Sequence, residues 1–443
     1  MQMRLATETR LAGQVHDMAV AALERFPWPM EFEDWTGRTY KAGGNAEHWS
    51  GRGPMHVVLK TPAAGRDLLG LNAMRFLERW LDQDVDITGN HYLFPEIRNY
   101  VKLSLKPWQV IWNRLQSLVA QDPVRAGRSV RSHYDIPQEA LYYLDRVYQS
   151  YSCGLWEAPY NMALEHALTV GKGEGDALDT LEKAQWRKFA HAADYLSPGP
   201  KDTVLDVGCG YPGFLQVTMD RFPTTGKIIG WTHSENQVRE GVSMLAGYDP
   251  ARYELNLGDY RRDNRVFDHI HSTGMICHVG PERRNSGLRN YVREVRRRIR
   301  TGGRYVHHCM MTPYTGKPLF DELGPAFNRK YVWPGFYYYT LGEHVSALEE
   351  NGFHVVRVFN ISPHYAKTTR AWYERLEQQR DRFVKHTNEA TCRAWEAFLA
   401  GITGSYLNRH IHTTRIFAEA VDVEQPSVIL SDPAQTVSAH LAV

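Results

Sequence analysis

Asp206-Val-Gly208-Cys-Gly210-Tyr-Pro-Gly213 puts one acid and three glycines directly after an apolar run, Thr203 to Val207. Glycines spaced this closely let a backbone bend tightly and approach a ligand, so the chemistry of this segment is cofactor binding. A bare Gly-x-Gly also occurs in ordinary turns and in dinucleotide folds. Here Asp206 precedes the turn, and Pro212-Gly213 stand where the dinucleotide pattern spaces its third glycine. The other reactive side chains are five scattered cysteines, at 153, 209, 277, 309 and 392. They form neither a Cys-x-x-Cys pair nor a zinc spacing, which predicts reduced thiols, a cytoplasmic compartment and no metal.

The glycine turn has to lie between a buried strand, Thr203 to Val207, and a following helix. A second strand is expected at Lys227 to Gly230, before Ser234-Glu-Asn-Gln237, which reads as a capping box opening a helix. Further strands fit Tyr253–Leu257, Val266–Ser272, Arg304–Met310, Phe353–Phe359 and Thr413–Val421, and Thr340-Leu-Gly-Glu343 is a second capping box. This alternation predicts an α/β fold, a doubly wound and mainly parallel sheet that binds ligands at the carboxyl ends of its strands. Upstream, Met55 to Lys60 reads as a strand, and Asp67 to Asp82 carries apolar residues at helical spacing. The polar, arginine-bearing stretch Gln121 to Arg131 is the expected linker. The expected division is a smaller α+β domain at 1–125, a catalytic domain at 126–421 and a loose tail at 422–443.

The 52 basic and 50 acidic residues nearly cancel, which excludes a bulk affinity for nucleic acid. The first residues lack the apolar run of a signal peptide, and no segment is long and apolar enough to cross a bilayer; a soluble protein is expected. Nothing in the sequence separates a monomer from a homodimer.

The Asp-x-Gly-x-Gly form resembles motif I of the class I methyltransferases, which bind S-adenosylmethionine (SAM). Further stretches follow in one order: His133-Tyr-Asp135, Tyr151-Ser-Cys153, Gly258-Asp-Tyr260, Gly274-Met275, His278-Val-Gly-Pro281 and Ala371-Trp-Tyr-Glu-Arg375. Together they strongly resemble the cyclopropane-fatty-acyl-phospholipid synthase family, which includes the mycolic acid cyclopropane synthases. The resemblance runs from about 130 to 421. It is weaker over 30 to 125, where Asp86-Ile-Thr-Gly89 looks like the family's N-terminal lipid-binding domain. It implies a Rossmann-like fold whose final strands form a reversed hairpin. It also implies methyl transfer from SAM to the π-bond of an unsaturated acyl chain, through a carbocation, to give a cyclopropane or a methyl branch. Gly208, Gly210 and Gly213 would then approach the methionine end of SAM, with Asp206 fixing the turn. Thr232 and Gln237 fall on the ribose side, Asp259 and Tyr260 at the adenine edge, and Tyr151 and Ser152 over the carboxylate. Cys153, His308 and Tyr365 match positions that surround a bicarbonate ion, the family's proton acceptor, with Met310 at a backbone contact.

Position 277 departs from the family. Where its motif reads Gly-Met-Phe-Glu-His-Val-Gly, this chain reads Gly274-Met-Ile-Cys277-His-Val-Gly280. A second departure places an apolar residue near Ile402 where the family carries a cysteine. A thiol is shorter than a carboxylate, neutral at pH 7 and a weak hydrogen-bonding group. Three outcomes stay open: bicarbonate held by the remaining donors, a different base, or a reaction that needs none. The acceptor is thus an unsaturated lipid or a specialised small molecule with an alkene or amine, and a non-catalytic SAM- or lipid-binding homologue is the third alternative. Arg283 to Arg300, with eight arginines against Glu294, reads as a helix whose face is either solvated or in peripheral contact with anionic lipid on the inner membrane face.

Overall fold

A computed structural model describes residues 2–101, 111, 115, 137–156, 180–283, 286–313, 323–333 and 335–422. The expected linker, His133-Tyr-Asp135 and residues 423–443 lie outside the described residues.

The first part of the chain forms α1 (Gln2–Ala22), β1 (Met30–Glu33), β2 (Thr39–Ala42), β3 (Met55–Leu59), α2 (Pro62–Leu69), α3 (Ala73–Leu81), β4 (Val85–Gly89) and α4 (Leu93–Tyr100). Its strands pair in the order β2-β1-β3-β4. Met55, Val57 and Leu59 alternate inward and are buried with Val85 and Ile87, the period-two pattern of a sheet covered on one face. The continuous helical spacing from Asp67 to Asp82 resolves into two helices. Thr61 caps α2 by accepting from the Ala64 N–H at 3.2 Å, and Leu71 then adopts φ 48. Asn72 caps α3 through the Arg75 N–H at 3.3 Å. Both helices turn apolar residues to one core, so the spacing persists across the break.

The second part forms α5 (Leu181–Leu196), β5 (Val204–Val207), α6 (Gly213–Arg221), β6 (Ile228–Thr232), α7 (Glu235–Met244), β7 (Tyr253–Leu257), β8 (Phe267–Thr273), α8 (Leu288–Arg296), β9 (Ile299–Met311), α9 (Leu323–Tyr331), α10 (Leu341–Glu350), β10 (Phe353–Asn360), α11 (Ser362–Gln378), α12 (Arg380–His386), α13 (Glu389–Leu407) and β11 (His412–Ala420). The seven strands lie in the order β10-β11-β9-β8-β5-β6-β7. β11 runs antiparallel to both of its neighbours, and the pairs from β9 to β7 are parallel. This is the doubly wound α/β sheet that the alternation predicts. Val204, Leu205, Val207, Ile228 and Ile270 on its inner strands are fully buried, each contributing about 1.5–3 kcal/mol of hydrophobic stabilisation. The expected reversed hairpin pairs as anticipated, Phe353 opposite Ala420, but α11–α13 connect its two strands instead of a tight turn.

The last of those helices, α13, also holds the N-terminal sheet. Arg393 on α13 donates to the Trp80 and Val85 carbonyls at 2.7 and 3.0 Å and to Asp86 Oδ1 at 2.9 Å. Among its described residues, the arginine-rich run 283–300 is a helix over Leu288–Arg296 and ends inside β9. Arg289 pairs with Glu350, Arg297 and Arg298 with Glu294, and Arg300 with Asp268, while Arg296 donates to the Gly352 and Val421 carbonyls. Most of the described arginines of this run are therefore engaged in contacts within the fold. No described helix is long and apolar enough to cross a membrane.

Candidate active site

One cavity opens at the carboxyl ends of β5 to β9, where a doubly wound sheet binds its ligands. Its floor is the turn after β5. Gly208 and Gly210 take φ 72 and 57, a left-handed conformation that side-chain-bearing residues avoid. The Cys209 N–H bonds back to the Trp231 carbonyl at 2.9 Å and holds the turn against β6. Asp206 lines the same cavity, and its Oδ1 is 2.7 Å from His271 Nδ1 on β8. A carboxylate only accepts, so His271 donates from Nδ1, and its Nε2 accepts from the Thr273 hydroxyl at 2.8 Å. Burial lowers the His271 pKa against the pull of Asp206 and keeps the ring neutral.

The end of β6 contributes Trp231 and Thr232, and the turn after it His233. Thr232 Oγ1 donates to Gln237 Oε1 at 2.6 Å, while Ser234 Oγ accepts from the Gln237 N–H at 3.3 Å. Ser234 thus caps α7, but the expected reciprocal box is not formed, because the Gln237 side chain turns to Thr232 and the cavity. The Thr340–Glu343 box is complete. After β7, Asp259 is paired with Arg261 at 2.6 Å beside buried Tyr260, and all three line the cavity. Burial raises the Asp259 pKa, but Arg261 outweighs it and holds the carboxyl below its ordinary range.

The opposite wall comes from Met275, Cys277 and His278 after β8, His308 and Met310 on β9, Trp333, and Tyr365 on α11. The Cys277 thiol donates to the Gly274 carbonyl at 3.0 Å, and burial pushes its pKa up to about 12. Arg415 Nη2 lies 3.4 Å from His308 Nδ1. A guanidinium only donates, so His308 accepts at Nδ1 and carries its proton on Nε2. Burial, then Arg415, hold the His308 pKa well below its ordinary value. The wall is aromatic: His278 stacks on Trp333 at 5.6 Å and Tyr151 on Trp372 at 5.0 Å.

Twelve of the fourteen candidate site residues meet at this cavity: Tyr151, Ser152, Asp206, Gly208, Gly210, Thr232, Gln237, Asp259, Tyr260, Cys277, His308 and Tyr365. Gly213 does not. It opens α6, where an added Cβ would lie 2.7 Å from Phe189 and 2.9 Å from Tyr148, so the missing side chain serves helix packing. Cys153 is also outside the walls. Its fully buried Sγ points at the Gly154 and Ile361 carbonyls, at 3.2 and 3.8 Å, and burial lifts its pKa to about 12. Sequence reasoning overlooked His271, Ser150, Trp333 and Tyr291, which line the cavity too. His271 carries a signal, since it shares the inward face of β8 with His269 and Thr273. Trp333 and Ser150 carry none, because loop residues have no period.

Among the described residues, one group combines metal-ligand types. His307, Cys309 and His344 are buried with ligand atoms within 4.8 Å of one another. His307 Nε2 and His344 Nδ1 lie 3.0 Å apart in a hydrogen bond of their own.

The model of the mycolic acid cyclopropane synthetase family matches residues 121–416. The chain belongs to this family. A probable fatty acid methyltransferase of Pseudomonas putida is 29% identical over 66% of this chain and 69% of its own length. The cyclopropane-fatty-acyl-phospholipid synthase of Escherichia coli K12 is 24% identical over 84% of this chain and 90% of its own. The structure of a cyclopropane synthase from Mycobacterium tuberculosis superposes with a TM-score of 0.58 at 22% identity, covering 66% of this chain and 98% of that one. The class I methyltransferase fold and the SAM-dependent methyltransferase class expected from the motifs therefore stand.

Proposed function

We propose that the cavity binds SAM and that the protein transfers its methyl group to an alkene carbon of an unsaturated lipid. The observation that carries this reading is the glycine turn, whose left-handed Gly208 and Gly210 expose backbone to a cavity walled by the other motif residues. The donor set fits the cofactor: Thr232 and Gln237 offer a hydroxyl and an amide for ribose, Asp259 and Tyr260 a polar edge and a ring for adenine, and Tyr151 and Ser152 a rim for the carboxylate. Among related structures, a mycolic acid cyclopropane synthase was solved with S-adenosylhomocysteine and the long-chain amphiphile CTAB. When bound, SAM supplies an electrophilic methyl group.

The chain's own residues do the rest. Trp333, Met275, Met310 and Tyr365 form an apolar wall that accepts an acyl chain and keeps water from the cation formed on it. A buried thiol with a pKa near 12 is no base at neutral pH, so Cys277 does not replace the family glutamate in proton transfer. His308 Nε2–H and the Tyr365 phenol are the donors left to hold a small anion such as bicarbonate, with the Met310 backbone beside them. Cys153 takes no part in that set. A lipid acceptor, peripheral membrane contact and a cytoplasmic location form one consistent reading. Incubation with methyl-labelled SAM, unsaturated phospholipid vesicles and a polar-metabolite extract tests it: label in the acyl fraction supports the reading, and label confined to a small polar product rejects it in favour of the specialised-metabolite alternative.

A further inference from the structure

Lys188 on α5 is fully buried, yet no described carboxylate forms an ion pair with it. Its ammonium donates to Ser150 Oγ, to Ser152 Oγ at 2.8 Å and to Gln185 Oε1 at 2.5 Å, which uses all three of its N–H groups on neutral oxygens. The nearby acid, Asp145, is occupied by the Val147, Tyr148, Gln149 and Ser150 backbone N–H groups. Burial pushes the Lys188 ammonium down toward neutrality, while Asp145 pulls it back up. Asp145 acts on Lys188 only through space, and the direct contacts of this buried ammonium are all neutral oxygens, two of them on the cavity wall, so the site suits an anion that is part of a bound ligand.

The hydroxyls show where that anion sits. Ser150 and Ser152 both line the cavity beside Gly208 and Gly210, with their oxygens 3.1 Å apart. Each oxygen accepts from Lys188. One hydroxyl proton is spent between the two serines, and the other has to point elsewhere. Gln185 fixes the loop by donating to the Ser152 carbonyl at 2.9 Å. Lysine thus leaves one serine hydroxyl as a donor available to the cavity, with the other fixed behind it.

We propose that Lys188 is a positioning residue that, through Ser150 and Ser152, recognises the α-carboxylate of the cofactor's amino-acid end. The inference rests on the reading of the cavity as a SAM site. It assigns the carboxylate recognition to a buried charge one layer behind the wall. The charge acts on binding and orientation, and it touches neither the methyl group nor the acceptor.

Two ligands isolate the effect. S-adenosylhomocysteine carries the carboxylate, and 5′-methylthioadenosine lacks the whole amino-acid end while keeping the nucleoside. Calorimetry on the full chain should show Lys188→Met weakening S-adenosylhomocysteine by at least about tenfold, the scale of one charge-assisted interaction, with 5′-methylthioadenosine within about twofold. The double variant Ser150→Ala/Ser152→Ala should lose the same discrimination, and it keeps the proposal testable if Lys188→Met fails to fold. In turnover, KM for SAM should rise with kcat little changed. If both ligands weaken equally, or neither does, in a variant that folds, Lys188 has only a structural role and the inference is wrong. If the wild-type protein binds neither ligand, the SAM reading itself fails.

Discussion

The Cys277 thiol and the Gly274 carbonyl are hydrogen-bonded at 3.0 Å on the wall where the family motif carries a glutamate. The thiol is the donor, and burial keeps it protonated to about pH 12. Cys277→Ser preserves that donor, so its turnover should stay within about threefold of wild type with an unshifted pH–rate profile between pH 6 and 9. A lost basic limb in the variant would show that the cysteine titrates during catalysis. Cys277→Glu should leave S-adenosylhomocysteine affinity unchanged and turnover unchanged or improved. Abolished turnover with intact binding would mean that the pocket is shaped around a different chemistry.

Asp206→Asn should destabilise the protein by about 1.5–3 kcal/mol, because it replaces a charge-assisted acceptor of a buried His271 N–H. Chemical denaturation at neutral pH measures this. A change below about 0.5 kcal/mol would show that the Asp206–His271 bond is not formed in solution.

Gly208→Ala places a Cβ 2.9 Å from Met275 Cγ at φ 72. The Met275 side chain is flexible, so the cost to folding should be about 1 kcal/mol, set by the left-handed backbone. Cofactor affinity should fall at least about tenfold, since the methyl group projects from the turn that the ligand approaches. Unaltered S-adenosylhomocysteine binding would remove the turn from the site.

Glu182 at the start of α5 accepts from Arg375 at 2.8 and 3.0 Å and anchors the loop that leads to Ser150. Burial raises its pKa, but the Arg375 hydrogen bonds outweigh this and hold it at about 2. A folded-state pKa below the usual value of about 4.3 stabilises the fold above that pH, and the stabilisation is lost as the pH falls toward 2. Both side chains are about a quarter exposed, which discounts the contribution to roughly 2 kcal/mol. Glu182→Gln should therefore lower the melting temperature at pH 7 and leave it nearly unchanged only below about pH 2. An equal loss at both pH values would contradict the ion-pair account.

The sheet and most cavity residues were legible because strands announce themselves locally. The run from Thr203 to Val207 is apolar throughout, and Gly208 and Gly210 answer to a backbone constraint that only glycine meets. The helix break at Leu71 was hidden because two helices share one apolar face. Gly213 and Cys153 lie off the cavity lining for a different reason: motif position says that a residue is near a site, but not whether its side chain points in. Phe189 and Tyr148 occupy the space beside Gly213, and the Ile361 carbonyl draws the Cys153 thiol away. Lys188 was invisible as a functional residue, since an amphipathic helix gives no sign of which lysine is enclosed.

The central claim is that a methyl group goes from SAM to an alkene carbon of a lipid. Trideuteromethyl-SAM with monounsaturated phospholipid vesicles, followed by mass spectrometry of the released acyl chains, tests it most directly. The account predicts chains longer by one carbon, retaining two deuteriums where a ring or methylene forms and all three where a methyl branch remains. Unlabelled acyl chains, with the intact trideuteromethyl group on the nitrogen of a water-soluble product, would contradict it.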